Sequence, residues 1–269
     1  MPAGGAPNER KSAVGAFGGG LAIGTLGGLI GLGGAEFRLP LLLGLFAFAP
    51  LEAVIVNKAM SLIVVVAALP LRTGTVSFGA VADQWGVIAN LLAGSLLGAW
   101  MGAAWATRLR SETLYRIIAV LLGGIAVVLL VGHGAQGAGQ AMLDGAARMI
   151  AGVVAGFAIG VVASLMGVAG GELLIPTLIL LFGADVKLAG SLSLAVSLPT
   201  MLVGFARYSR DSTFAVLGRN LRFVVTMAIG SIAGAFLGGQ LLGLVPDIVL
   251  LPALALILLV SAVKVWRHR

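Results

Sequence analysis

Residues 31–40 read Gly-Leu-Gly-Gly-Ala-Glu-Phe-Arg-Leu-Pro, and residues 167–176 read Gly-Val-Ala-Gly-Gly-Glu-Leu-Leu-Ile-Pro. The offset is 136 residues (167 minus 31), and it extends well beyond these stretches. Gly31, Gly34, Glu36 and Pro40 fall on Gly167, Gly170, Glu172 and Pro176. Ser61-Leu62 falls on Ser197-Leu198, Phe78 on Phe214, and Gly94-Ser95, Gly98 and Gly102 on Gly230-Ser231, Gly234 and Gly238. Over residues 24–103, 19 of 80 ungapped pairs are identical, against roughly 8 expected from composition alone. A shared bias towards Gly, Ala and Leu would not match Glu and Pro, because the chain has only 10 acidic residues and 9 prolines. The chain is a duplication.

Its solvent is lipid. Hydrophobic residues make up 59% of the chain and charged residues 10%, whereas soluble domains carry about 25% charged residues. The 41 glycines suit close packing of membrane helices. The net charge of +7 does not point to nucleic acid, because the Arg and Lys cluster in short loops between apolar runs. The absence of Cys excludes disulfides, thiol chemistry and Cys-ligated metals. The two histidines, His133 and His268, offer no metal or catalytic site. No nucleotide-binding signature or catalytic triad is present. We expect no enzyme activity, no cofactor and no metal.

Apolar runs predict helices over 12–32, 36–48, 51–71, 85–107, 115–132, 147–168, 172–183, 187–206, 222–243 and 248–265. A full span needs about 20 residues, so 36–48 and 172–183 are short, broken helices. The first run could pass for a signal peptide, but it belongs to the duplication and reads as the first membrane helix. The expected organisation is a disordered tail at 1–11, a first membrane repeat at 12–132, an external loop at 133–146 and a second membrane repeat at 147–269.

Loop charges fix the orientation. Arg108, Arg110 and Arg116, and then Arg207, Arg210, Arg219 and Arg222, put loops 108–116 and 207–222 in the cytoplasm. Their equivalents in the other half, 244–252 and 72–84, lack such clusters. Equivalent loops therefore lie on opposite sides, and the repeats are inverted. Arg10, Lys11, Lys264, Arg267 and Arg269 put both termini inside. The expected fold is an all-α polytopic protein of the bacterial inner membrane, with about five helical segments per inverted repeat. Five crossings per half are favoured. Three per half, with 12–48 and 147–183 as re-entrant hairpins, also satisfy the parity.

Broken helices at matching places in inverted repeats point to a transporter site. Gly33 and Gly34, and Gly170 and Gly171, precede short helices whose N–H groups and dipole favour an anion; the competing role is helix packing. Ionisable groups in membrane segments are functional by default, which singles out Arg38 and Lys58 for substrate and Glu36 and Glu172 for proton coupling. Asn57 and Ser61 lie one turn apart, with Ser193, Ser197 and Thr200 on the equivalent helix, and all can hydrogen-bond an anion. The alternatives are interhelical bonds and, for Lys58, snorkelling. Arg38 and Lys58 have Leu174 and Leu194 as repeat partners, so the basic groups are one-sided. Arg38 lies two residues from Glu36, which makes Glu172 the expected proton carrier.

At the two Gly-rich, Glu- and Pro-containing stretches and the Ser-rich 190–200 segment, the chain resembles the sulfite exporter TauE/SafE family. The resemblance covers nearly the whole chain. It implies a secondary transporter exporting sulfite or a small organosulfonate such as sulfoacetate. Glu36, Arg38 and Glu172 rest on local chemistry and are not family signatures. The competing classes are an anion channel and an accessory membrane subunit without substrate. Expected partners are a small anion and the lipid bilayer, no nucleic acid, and, as an open alternative, a second copy in a homodimer.

Overall fold

The computed structural model describes residues 13–30, 34–72, 78–131, 143–241 and 247–267. Gly33, the tail at 1–11 and most of the 133–146 loop lie outside the described residues. The first half contains α1 (Ala13–Ile30), α2 (Ala35–Gly44), α3 (Pro50–Arg72), α4 (Phe78–Ala82), α5 (Trp85–Ala106) and α6 (Ser111–Val131). The second contains α7 (Gly145–Met166), α8 (Gly171–Phe182), α9 (Val186–Tyr208), α10 (Val216–Arg219), α11 (Leu221–Leu241) and α12 (Asp247–Arg267). All ten expected helices are present, with two short connectors, α4 and α10, and a 3₁₀ turn over Ser212–Ala215.

Among the described residues, five helical stretches are long and apolar enough to cross a bilayer: Pro50–Ala67, Trp85–Ala106, Gly145–Met166, Lys187–Tyr208 and Leu221–Leu241. The chain is an all-α polytopic membrane protein. α2 corrects the expected 36–48 helix: it ends at Gly44. Ala47 turns the backbone into the left-handed region with φ 52°, and Pro50 opens α3, where its missing N–H costs nothing. The apolar run continues through that turn, so hydrophobicity alone could not see it. At 10 residues, α2 is about 15 Å long, half the hydrocarbon thickness of about 30 Å.

Glycine stripes join the halves. On α1, Gly20, Gly24 and Gly28 sit against the backbones of Met227, Ser231 and Ala235 on α11. On α5, Gly94, Gly98 and Gly102 sit against Val153, Phe157 and Val161 on α7. A β-carbon at any of these positions would run into backbone atoms of the facing helix. Both ladders climb in the same direction, so α1 runs parallel to α11 and α5 runs parallel to α7. The flank of α5 beside this stripe carries Leu97, Met101 and Trp105, all exposed, as a lipid-facing surface requires.

The contacts come in exchanged pairs. α1 packs on α11 as α7 packs on α5, α2 on α3 as α8 on α9, and α2 on α12 as α8 on α6. α3 and α9 meet each other at the centre. This arrangement brings both chain breaks, between α1 and α2 and between α7 and α8, to the middle of the molecule.

Candidate functional site

Glycine makes both breaks. Gly167 ends α7 at φ 68°, Gly170 precedes α8 at φ 83°, and Gly34 precedes α2 at φ 70°. These left-handed values favour glycine over any residue with a side chain. Space is also short. A β-carbon on Gly167 would meet Val54 O of α3, and one on Gly34 would meet Ile23 O of α1.

Side chains from α3 and α9 cover the carbonyls at the end of α7: Ala163 O and Ser164 O, which also accept backbone N–H groups from Gly167 and Val168, and Met166 O and Gly167 O, which lie past the last intrahelical bonds. Lys58 Nζ donates to Ala163 O at 3.2 Å. Tyr208 OH donates to Ser164 O at 2.9 Å. Asn57 Nδ2 donates to Met166 O at 3.1 Å and also to Ala35 O at 3.0 Å. Ser61 Oγ donates to Gly167 O at 3.3 Å. Asn57 thus ties the start of α2 to the end of α7 across the two halves. A cation at a helix C-terminus is also favoured by the helix dipole.

Arg38 lies under this cap, fully buried. Its Nη1 donates to Asn57 Oδ1 at 3.3 Å and to Ser61 Oγ at 3.2 Å. Lys58 is equally buried and does not snorkel to a surface. Among the described residues, the acceptor of its ammonium is the neutral Ala163 carbonyl. Beside it, Gly204 leaves open the space that a β-carbon would fill, 2.8 Å from Lys58 Cε and 2.9 Å from Ser164 Oγ.

The expected residues therefore sort into groups. Arg38, Asn57 and Ser61 form one hydrogen-bonded cluster, with Gly34 at its edge and Lys58 one helical step away. Gly170 and Gly171 form the break before α8. Thr200 shares a hydrogen bond of 2.7 Å with Ser95 and donates to Val196 O at 2.7 Å. Ser193 bonds within its own helix, to Gly190 O at 2.8 Å, and Ser197 is buried beside it. Glu36 and Glu172 are buried, and their carboxyl oxygens accept no hydrogen bond from any described residue. Arg38 accordingly does not hydrogen-bond Glu36, although it is only two residues away. Sequence reasoning missed Tyr208, Ser164, Ser95 and Gly204. The hydroxyls carried a usable signal as polar groups in apolar spans; Gly204 carried none.

A buried guanidinium, an ammonium, an amide and several hydroxyls inside a polytopic helical membrane protein are a donor set that suits a membrane transporter. The sulfite exporter TauE/SafE family model matches residues 16–265, nearly the whole chain. The chain belongs to that family. Comparison with curated proteins and with solved structures gave no match.

Proposed function

We propose that the protein is a secondary transporter that exports a small sulfur-containing anion, sulfite or an organosulfonate such as sulfoacetate, across the bacterial inner membrane. The observation that carries this reading is the buried cationic cluster at the two helix breaks. Lys58 has three N–H donors and a neutral acceptor. A buried charge without a counter-charge is costly, and an anion would supply one. Arg38, Asn57 and Ser61 add further donors, and the α2 and α8 N-termini add positive dipole ends. Enclosure of Arg38 and Lys58 supports a carrier over an open channel, because a pore needs its lining continuously wet.

In this reading the halves are inverted in the bilayer. Parallel packing of α1 on α11 supports this: with helices alternating in direction, first and fourth segments of one half are antiparallel, so the fourth segment of the other half must be turned over. The faces are consistent with the loop charges. Arg210 and Arg207 lie over the Trp100 ring, at 4.9 and 5.9 Å from its centre, and Arg219 Nη2 meets Glu52 Oε1 at 3.1 Å. These contacts gather loop 207–222, the end of α5 and the start of α3 on one face, which we assign to the cytoplasm with both termini. Asn90 Nδ2 donates to Met149 O at 2.9 Å, joining the starts of α5 and α7 on the outer face. Glu36 and Glu172 provide proton coupling.

The test is flux of sulfite, sulfoacetate, thiosulfate and sulfate in proteoliposomes, with a pH gradient of either sign. Saturable, pH-gradient-driven flux of sulfite or sulfoacetate is expected. Flux at the level of empty liposomes for all four anions would overturn the reading, and conductance far above carrier rates would replace it with a channel.

A further inference from the structure

Two carboxyl groups stand outside the hydrogen-bond network just described. Glu36 is 0% exposed and Glu172 is 4% exposed. Each sits in the first turn of a short helix that begins at a glycine break, Glu36 in α2 and Glu172 in α8. None of their four oxygens receives a hydrogen bond from a described residue. Asn57 bonds both Ala35 O, next to Glu36, and Met166 O at the end of α7, so the two breaks meet across the boundary between the halves, and the two carboxyls act on each other electrostatically across that junction. Two ionised carboxylates can only accept. Unit charges of like sign 4 Å apart repel by about 4 kcal/mol at an effective dielectric constant near 20. Shared sites of this kind cannot hold both charges and keep a proton between them.

Among the described residues, no cationic side chain donates a hydrogen bond to either carboxyl. Arg38, on α2, acts on Glu36 electrostatically, but its Nη1 is directed to Asn57 and Ser61. Lys58, on α3, is held on Ala163 O, and Tyr208, on α9, is held on Ser164 O. α1 carries no ionisable side chain. Near the ends of their helices lie Arg148 on α7, Lys187 and Arg207 on α9, Asp247, Lys264 and Arg267 on α12, and Glu112, Tyr115 and Arg116 on α6. No group of three or more Asp, Glu, His or Cys among the described residues could ligate a metal ion.

We propose that Glu36 and Glu172 form one carboxyl–carboxylate pair that shares a single proton across the two halves, and that this proton is the coupling ion. The second clause deepens the carrier reading above and rests on it; the first rests on the burial of both carboxyls, their lack of another partner among the described residues and the meeting of the two breaks. In the protonated pair, the O–H of one carboxyl donates to the carboxylate of the other, and the pair carries one negative charge. Release of the proton to water leaves two carboxylates in contact. Repulsion then drives α2 and α8 apart at the two breaks that hold the substrate cluster. The pair acts as a latch as well as a proton carrier, and neither carboxyl works alone.

The test is infrared spectroscopy of the purified full-length protein in lipid, titrated with pH and without substrate. Wild type is expected to show a protonated carboxyl C=O band at neutral pH that disappears on alkalinisation. In E36Q and in E172Q alike the whole band is expected to vanish, because the new amide N–H donates to the remaining carboxylate and replaces the proton. A band persisting in either single variant would show two independent acids and overturn the pair, as would wild type without a band. Titration in sodium against choline tests the competing ion: loss of the wild-type band at neutral pH on adding sodium would overturn the proton assignment. E36Q/E172Q keeps an amide–amide hydrogen bond and serves as the folding control. It is expected to melt at the wild-type temperature in lipid, to show no protonated carboxyl band and to lose pH-driven flux. If the infrared result holds and no anion is transported, the carrier reading fails and the pair survives.

Discussion

Replacing Arg38 with Leu separates binding from folding. The second half already has Leu174, buried at the equivalent position, so an aliphatic side chain suits this type of site. The structure gives the cost. The hydrogen bonds lost include those from Nη1 to Asn57 Oδ1 and to Ser61 Oγ. Ser61 keeps its bond to Gly167 O and Asn57 keeps both of its donated bonds, so Asn57 Oδ1 loses the acceptor role these bonds gave it, a penalty of about 1 to 3 kcal/mol. Relief of the desolvation cost of a buried guanidinium offsets part of this. Removing one side of a buried charge interaction costs about 2 kcal/mol or more in binding, or roughly 30-fold in affinity. We therefore expect R38L to raise the KM for sulfite or sulfoacetate at least roughly 30-fold, with a smaller effect on thermal stability in detergent. R38K retains the charge without the planar fork and should fall between the two. An unchanged KM in R38L, measured on folded protein in proteoliposomes, would refute the assignment of Arg38 to the anion.

Three further outcomes follow from the same geometry. G204A should weaken substrate affinity by roughly tenfold, equivalent to about 1.4 kcal/mol, by displacing Lys58 and Ser164. Thermal stability should be nearly unchanged because those atoms are side-chain ends, and flux assays with wild-type kinetics would remove the Lys58–Gly204 space from the site. G24A should destabilise the protein by about 1 to 3 kcal/mol, because its methyl group meets the Ser231 backbone, whereas G18A meets nothing within 4 Å; equal melting temperatures would contradict the α1–α11 ladder. Single cysteines at Asp83 and Gly218, introduced into a chain with no native Cys, should be labelled from opposite sides of the membrane, and labelling from the same side would exclude inverted halves.

Much of this architecture is written locally. Hydrophobic runs mark the helices, and glycines with matched Glu and Pro mark the breaks, because both signals concern neighbours along the chain. The polar face of α3 was equally legible from the spacing of Asn57 and Ser61. Their partners were not. Ala163, Met166 and Gly167 lie 105 to 109 residues from the side chains that cap them, and no periodicity reports such a distance. Arg38 was the natural partner for Glu36 on sequence separation alone. Helix geometry points the other way: residues two apart project in different directions, so the guanidinium reaches Asn57 and Ser61 on α3 and makes no hydrogen bond to the carboxyl.

The same distances explain why the residues chosen as anion donors also act in structure. Asn57 and Ser61 bond to Met166 O and Gly167 O, which a continuous helix would have satisfied itself, and Lys58 adds a bond to Ala163 O, which also accepts from Gly167 and Val168. The break at Gly167 creates that demand, and α3 meets it only while the first half stays docked on the end of α7. An anion entering between Lys58 and Arg38 must compete with those carbonyls for the same N–H and O–H groups. Binding and release of the α7 terminus are then exclusive uses of one set of donors. Asn57 tests this directly. N57D keeps the size of the side chain, removes the N–H bonds to Ala35 O and Met166 O, and sets a carboxylate beside Arg38. It should abolish anion binding by neutralising the guanidinium. N57A deletes the same bonds without adding charge and should leave binding measurable on a destabilised protein. If N57D bound sulfite or sulfoacetate as well as N57A does, competition at this site would be ruled out.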